Sequence, residues 1–417
     1  MNRSHLKHQE AGMNRRHWIL SSAIVGLMSI IPAGAAPTPT AAPAAAAING
    51  NSSAAQGEAV VVKGLAYLKN SQKSDGGWQE TTEPPAITAI VLKAFLDGPK
   101  QSSDPQMLDR GFKKLLESQQ PDGSIASDVL ATYNTAIAVS TFAADADKYK
   151  EPEEKALRYL ESIQWTDKIQ GVKDRNKQVP QSDPNYGGWG YGGHGRADMS
   201  NTQMALDALH DAGLKSSDPA YQAAIKFITR DQNHSETNDQ PWAGDDGGFI
   251  YTPAQGGSSV AGTLVTPDGK KIFRSYGSMT YAGLKSMIYA GLSKDDPRVK
   301  AAWQWVRDNW TLDQNPGMQF ASATPNTEAA QWGLYYYYHT LARALRSYGE
   351  PVIVDSHGNK HDWRVELIAK IAGEQHPDGS WVGRQRFMED KPILSGAYAI
   401  LAMEEALADL KDHPAQK

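Results

Sequence analysis

Residues 186–203 bring together side chains that handle protons and side chains that grip apolar surfaces. Asp198 precedes Ser200, Asn201 and Gln203; His194 and Arg196 stand before it in a glycine-rich run; Tyr186, Trp189 and Tyr191 add aromatic faces. A carboxyl near a hydroxyl, an imidazole and a guanidinium is the material of acid–base work. Aromatic walls with a few polar groups suit an apolar or sugar-like ligand. The same types return at Asp245, Asp246, Phe249, Tyr251, Arg274, Tyr276 and Tyr281, and again at tyrosines 335–338 followed by His339. Asp198, Tyr276 and His339 are therefore the candidate acid–base groups. Trp189, Tyr191, His194, Arg196, Asn201, Gln203, Arg274, Tyr281, Tyr335 and Tyr338 are the candidate ligand contacts.

Each candidate also has a structural reading. Asp198 stands where an N-cap belongs, two residues before Ser200. His194 and Arg196 suit a solvated loop, and His339 suits a hydrogen-bonded core position. At 100° per residue four consecutive tyrosines cannot share a face, so about half of them pack between helices. The run Asp245-Asp246-Gly247-Gly248 reads as a turn, because two adjacent acids do not make up a cation's ligand set.

Other chemistry is excluded outright. With no cysteine in 417 residues there is no disulfide, no thiolate metal site and no cysteine nucleophile. Neither a metal nor a cofactor is expected. The formal charge is −5, and loss of Arg3, Lys7, Arg15, Arg16 and Glu10 with the leader takes it to −8, which argues against nucleic acid as a partner. That leader is residues 1–35: the Arg15-Arg16 pair, an apolar stretch at 18–31 and the small residues Ala33-Gly34-Ala35 read as an export signal. His17, Trp18 and Ile19 after the arginines also fit the twin-arginine type. The apolar stretch falls short of the roughly 20 residues of a membrane span. An exported chain, periplasmic or extracellular, is expected, with an Ala/Pro-rich unstructured spacer at 36–57, a folded unit at 58–410 and a short tail.

The elements that position the candidates repeat six times. An amphipathic segment ending in Gln or Asn runs into a glycine turn at 65–78, 112–125, 157–165, 225–233, 303–310 and 367–381. Each ending leads to a second, more apolar segment, at 88–95, 135–142, 202–209, 280–287, 335–345 and 397–407. Charged faces such as Lys113, Lys114 and Glu117 place the first helices outside; segments apolar nearly all round must lie inside. Asp-Pro and Glu-Pro pairs at 104–105, 151–152, 218–219 and 296–297 mark the starts of outer helices. The last inner segment is as apolar as the others, so it predicts closure into a ring rather than an open solenoid with a polar cap. The fold class is all-α, an α/α toroid of six helical hairpins. Long insertions at 167–197, 233–275 and 311–330 all join an outer to an inner helix, so they decorate one rim, the commonest place for a binding face in repeat proteins.

The chain resembles the prenyltransferase and squalene-cyclase repeat family. Gln72-Lys-Ser-Asp-Gly76-Gly77-Trp78 and Gln375-His-Pro-Asp-Gly379-Ser380-Trp381 match its Q-x3-G-x-W repeat; Gln119 to Ile125 matches with Ile for Trp, and Trp189 and Phe249 sit in looser copies. The resemblance covers residues 58–410 and implies the α6-α6 toroid of triterpene cyclases and protein prenyltransferase β subunits. The family's chemistry transfers less well. The stretch Asp198-Met199-Ser200-Asn201-Thr202 resembles the cyclase Asp-x-Asp-Asp motif but puts a serine at the proton donor, and no cysteine completes a prenyltransferase zinc site. The resemblance implies an apolar, isoprenoid-like ligand bound without metal in a central cavity, and leaves open whether that ligand is also transformed. Two other readings stand beside it: a non-catalytic scaffold presenting its rim loops to protein or glycan, and a carbohydrate-active enzyme on a similar toroid, which would need two facing carboxylates.

Overall fold

Outer helices begin where an acid can cap them. Asp104, Asp218 and Asp296 each accept the backbone N–H two residues on, from Gln106, Ala220 and Arg298, and a proline follows at the first helical position. The computed structural model describes residues 50–125, 130–167, 179–192, 195–322 and 324–414. All of these belong to one compact unit, 47–417. The leader lies outside the described residues, and no described helix is long and apolar enough to cross a membrane.

Twelve main helices alternate. Outer helices are α1 (Gly50–Asn70), α3 (Pro105–Leu116), α5 (Ala146–Ser162), α7 (Pro219–Asp231), α9 (Pro297–Asp308) and α11 (Trp363–Glu374). Inner helices are α2 (Ala86–Asp97), α4 (Ala131–Ala143), α6 (Met199–Asp211), α8 (Gly277–Tyr289), α10 (Leu334–Tyr348) and α12 (Pro392–Asp412). Each inner helix packs on the next, and α12 packs back on α2 while α1 lies against α11 and α12. The chain is an (α/α)6 toroid. Burial follows the layers: α3 buries Met107, Gly111, Phe112 and Leu115 along one stripe, whereas every residue of α6 through Leu209 is buried.

The repeated glutamine is the joint between units. Gln72, Gln119, Gln164 and Gln232 each donate to the glycine carbonyl of their own turn and to a first-turn carbonyl of the next outer helix, at Met107, Pro152, Ala220 and Arg298. Gln375 makes the corresponding link to Val60, in the middle of α1 and 3.0 Å away, and so ties the last unit to the first. The turn glycine must be a glycine: at Gly123, with φ +92°, a β-carbon would stand 2.1 Å from the Lys155 carbonyl oxygen. The aromatic residue is then pinned from both sides. Trp189 donates its indole N–H to Leu160 and its backbone N–H to Thr202, the threonine that opens the inner helix.

Three features differ from the sequence expectation. Helix α1 starts at Gly50, inside the segment read as spacer, because its buried stripe begins with the small residues Ser53 and Gly57 rather than with aliphatics; Gly57 packs against Leu407 and Ile368. Helix α5 starts at Ala146, ahead of Glu151-Pro152, and breaks at Tyr149 (φ −117°, ψ 23°), so Pro152 falls in the first turn of its second segment, where its missing N–H is harmless. An added hairpin, β1 (Val352–Val354) with β2 (Lys360–Asp362), joins an inner to an outer helix. It is anchored by buried Ile353 and by Asp355, which accepts from His357 and Asn359. The three long insertions do enter the N-termini of α6, α8 and α10, and thus one end of the ring.

Candidate functional site

The N-terminal turns of the inner helices surround a cavity of about 430 Å³. Its wall takes Ile87 from α2, Tyr133 from α4, Ser200 from α6, Met279 from α8, Tyr336 from α10 and Tyr398 from α12. Insertions and loops add Tyr191, Tyr251, Val260, Tyr276, Trp332, Arg386, Phe387 and Glu389. The volume lies within the roughly 300–1,000 Å³ of ligand pockets. Tyrosines dominate: Tyr133 stacks on Tyr191 at 5.9 Å, and the Tyr191 and Tyr251 hydroxyls are hydrogen-bonded at 2.7 Å.

Asp198 sits one layer behind this wall. It caps α6, accepting from the Asn201 backbone at 2.9 Å and from the Asn201 side-chain amide at 2.8 Å, and it also accepts from the Ser200 hydroxyl at 2.8 Å. Ser200 itself faces the cavity. Burial raises the Asp198 carboxyl to about 6, against the pull of those hydrogen bonds. Nearby Asp231 has both carboxyl oxygens buried without a partner; burial, and then the charge of Asp198, push it well above the usual range.

Glu389, which sequence reasoning did not single out, is the single carboxylate among the described lining residues. One oxygen accepts from the Tyr336 backbone N–H at 2.9 Å, capping α10, and the other is buried without a partner. Burial lifts this carboxyl to about 8, so it is neutral at pH 7. The loop that carries it is strained: Phe387 (φ +63°) and Met388 (φ +66°) lie in the left-handed region without being glycine. The available signal was positional, since Glu389 precedes the sixth inner helix much as Asp198 precedes the third.

The other candidates spread out. Tyr276 lines the cavity as the residue before α8, with burial holding its hydroxyl protonated. His339 lies off the cavity, on a small pocket of about 40 Å³ beside Tyr398 and Arg343; burial lowers it well below its usual range, so it is a neutral imidazole. Tyr191 lines the wall, while Asn201 and Gln203 stand behind it, Gln203 donating to the Tyr336 hydroxyl at 2.9 Å. Trp189 is the repeat joint already described. Arg196 reaches Gln255 at 3.4 Å, and Arg274 lies over Phe320 at 4.2 Å, both away from the lining. Tyr281 packs edge-on against Tyr337, Tyr335 donates to Glu374, and Tyr338 donates to the Leu312 carbonyl. Of the four consecutive tyrosines, Tyr336 is the one that faces the cavity. His194 lies outside the described residues. Asp245 accepts from Ser235, and Asp246 from Gly248 and Ser275, as turn residues do; among the described residues no cluster of three or more His, Asp or Glu is arranged for a metal ion.

No protein-family model and no curated protein matches the chain in sequence. In fold, solved structures do match. A type II terpene cyclase, MstE from Scytonema, in complex with its substrate geranylgeranyl dihydroxybenzoate, is 14% identical with a TM-score of 0.52, covering 86% of this chain and 99% of its own. The ligand-free form of that cyclase is 15% identical at a TM-score of 0.50 with the same coverage. An α-1,6-mannanase from Salegentibacter is 12% identical at 0.49, covering 85% of this chain and 99% of its own. The cyclase likeness confirms the toroid.

Proposed function

We propose that the cavity binds an apolar, isoprenoid-like molecule carrying one polar oxygen. The observation that carries this reading is an aromatic and aliphatic chamber of about 430 Å³ whose single carboxyl among the described lining residues, Glu389, is neutral at pH 7. A neutral carboxyl in such a wall donates a hydrogen bond to a hydroxyl or carbonyl without the expense of burying a charge. Ser200, held by Asp198, offers a second polar point, and Tyr276 and Tyr191 complete the wall. Alkene protonation does not suit these groups, because a serine hydroxyl and carboxyls at about 6 and about 8 are weaker acids than an ordinary carboxylic acid. An acid near 8 is suited instead to protonating an oxygen leaving group at neutral pH, so any turnover starts at a C–O bond with Glu389 as donor. In this reading Asp198 positions Ser200, and His339 is a neutral imidazole outside the chamber. The sugar-cleaving reading needs a second facing carboxylate, and the described lining residues supply only Glu389. We infer from the Arg15-Arg16 leader that the protein meets this ligand after export.

The test has two arms. Organic extraction and mass spectrometry of the purified full chain should recover a prenyl-type lipid, and geranylgeraniol should quench Trp332 fluorescence saturably. Val260→Trp, which narrows the mouth from an insertion loop, should weaken the quenching at least tenfold. No recovered lipid together with no saturable quenching would reject the proposal.

A further inference from the structure

The other end of the ring opens into a second and larger cavity, about 830 Å³, among the C-terminal turns of the inner helices. Its wall is charged, and its charges do not balance. Lys93, Arg343 and Arg346 line it together with Asp97, Asp211, Glu404 and Glu405. Every one of these cations is already held. Lys93 pairs with Asp97; Arg343 clasps Asp211 with both terminal nitrogens, at 2.6 and 3.3 Å; Arg346 pairs with Glu405 at 2.8 Å. Glu404 is left over. Both of its carboxyl oxygens are buried and without a partner, although the residue lines an open cavity.

A buried carboxyl with no partner in an otherwise paired network is an incomplete site. Burial, and then the charge of Asp97, hold this carboxyl well above the usual carboxylate range, so without a ligand it keeps its proton; a cation that releases that proton to solvent and takes its place supplies the missing partner, because the neighbouring cations are spoken for. It is not a bare metal ion, because no described cluster of His, Asp and Glu supplies three or more ligands. The rest of the wall favours an organic ion: Leu214, Ile288 and Leu401 are apolar, and His210 lies flat on Tyr289 with ring centres 3.8 Å apart. Burial lowers the His210 imidazole, so this slab brings no competing positive charge.

We propose that this mouth binds an organic ammonium ion, its N–H groups donating to the Glu404 carboxylate and its hydrocarbon part lying against Leu214, Ile288 and Leu401. The site is separate from the aromatic chamber and does not depend on what that chamber holds.

Isothermal titration calorimetry of n-hexylammonium chloride into the full chain tests it, with n-hexanol, sodium hexanoate and magnesium chloride as comparisons. Wild type should bind hexylammonium saturably and neither hexanol nor hexanoate. Glu404→Gln keeps the shape, removes the charge and should weaken binding at least tenfold. Ala408→Phe, one helical turn from Glu404, narrows the mouth while keeping the carboxyl and should weaken it as well, and this decides the matter should the glutamine variant not fold. Val260→Trp, at the opposite mouth, should leave ammonium binding unchanged, and Glu404→Gln should leave geranylgeraniol quenching unchanged, so the two proposals fail separately. Equal affinity in wild type and Glu404→Gln, hexanoate binding, or magnesium binding that depends on Glu404 would each overturn the proposal.

Discussion

Replacing Glu389 with glutamine should stabilise the protein in alkaline solution and leave it nearly unchanged in acid. The carboxyl is ordinary in the unfolded chain, at 4.5, and about 8 in the fold, where burial opposes its charge. Below pH 4.5 both states hold the proton, and burial of the neutral group costs little. As pH rises from 4.5 to 8 the unfolded chain releases its proton while the folded chain keeps it, so stability falls through that window and then levels off. The rise corresponds to about 5 kcal/mol at pH 9, from roughly 1.4 kcal/mol per pH unit. Glutamine keeps the oxygen that accepts from the Tyr336 backbone and places an amide where the unpartnered oxygen lay. It carries no charge to bury. At about 2.1 cal/mol/K of unfolding entropy per residue, a unit of about 370 residues gains roughly 6 °C in melting temperature from 5 kcal/mol. Thermal denaturation of both proteins by circular dichroism, from pH 4.5 to 9, gives the difference curve, in which the titrations of Asp198, Asp231 and Glu404 cancel because both chains share them. A difference that opens from near zero to several degrees across pH 4.5 to 8 is the expected result. Parallel curves would show that Glu389 is not held neutral, and the hydrogen-bond donor at the cavity wall would be lost with it.

Three further outcomes follow from the packing. Gly123→Ala should lose more than about 3 kcal/mol, because the new methyl meets the Lys155 carbonyl in a left-handed backbone, whereas Gly269→Ala, with equal handedness and open space, should lose about 1–2 kcal/mol; equal urea midpoints would contradict the joint. Gln375→Ala should lose about 1–3 kcal/mol through its two hydrogen bonds, and urea denaturation showing no loss would deny that Gln375 closes the ring. Lys285 is buried with its ammonium on Asp207 (2.7 Å) and Gln203 (2.6 Å), so Asp207→Asn alone should cost about 3–5 kcal/mol, while Asp207→Leu combined with Lys285→Met should recover at least half; a double variant as unstable as the summed singles would refute the pairing.

Much of the architecture is local chemistry and was legible in the chain. A glutamine, a left-handed glycine and an aromatic residue within seven positions state a turn and its cover, and six spaced endings state a ring of hairpins, because each device acts on backbone within a few residues or on the next unit. The cap at Asp198 was readable for the same reason, as was the exclusion of thiolate chemistry from a chain without cysteine. Which side chains meet across the ring was not readable. Tyr336 rather than Tyr335 or Tyr338 reaches the chamber because the helix phase is set by the packing of α10 on α8 and α12. Glu389 becomes a neutral donor only because distant helices bury it, and Glu404 is left without a partner only because Asp97, Asp211 and Glu405 claim the nearby cations. Burial and pairing are properties of neighbours far apart in the chain; periodicity reports which face a residue takes on its own helix, and only the closed ring decides what stands opposite.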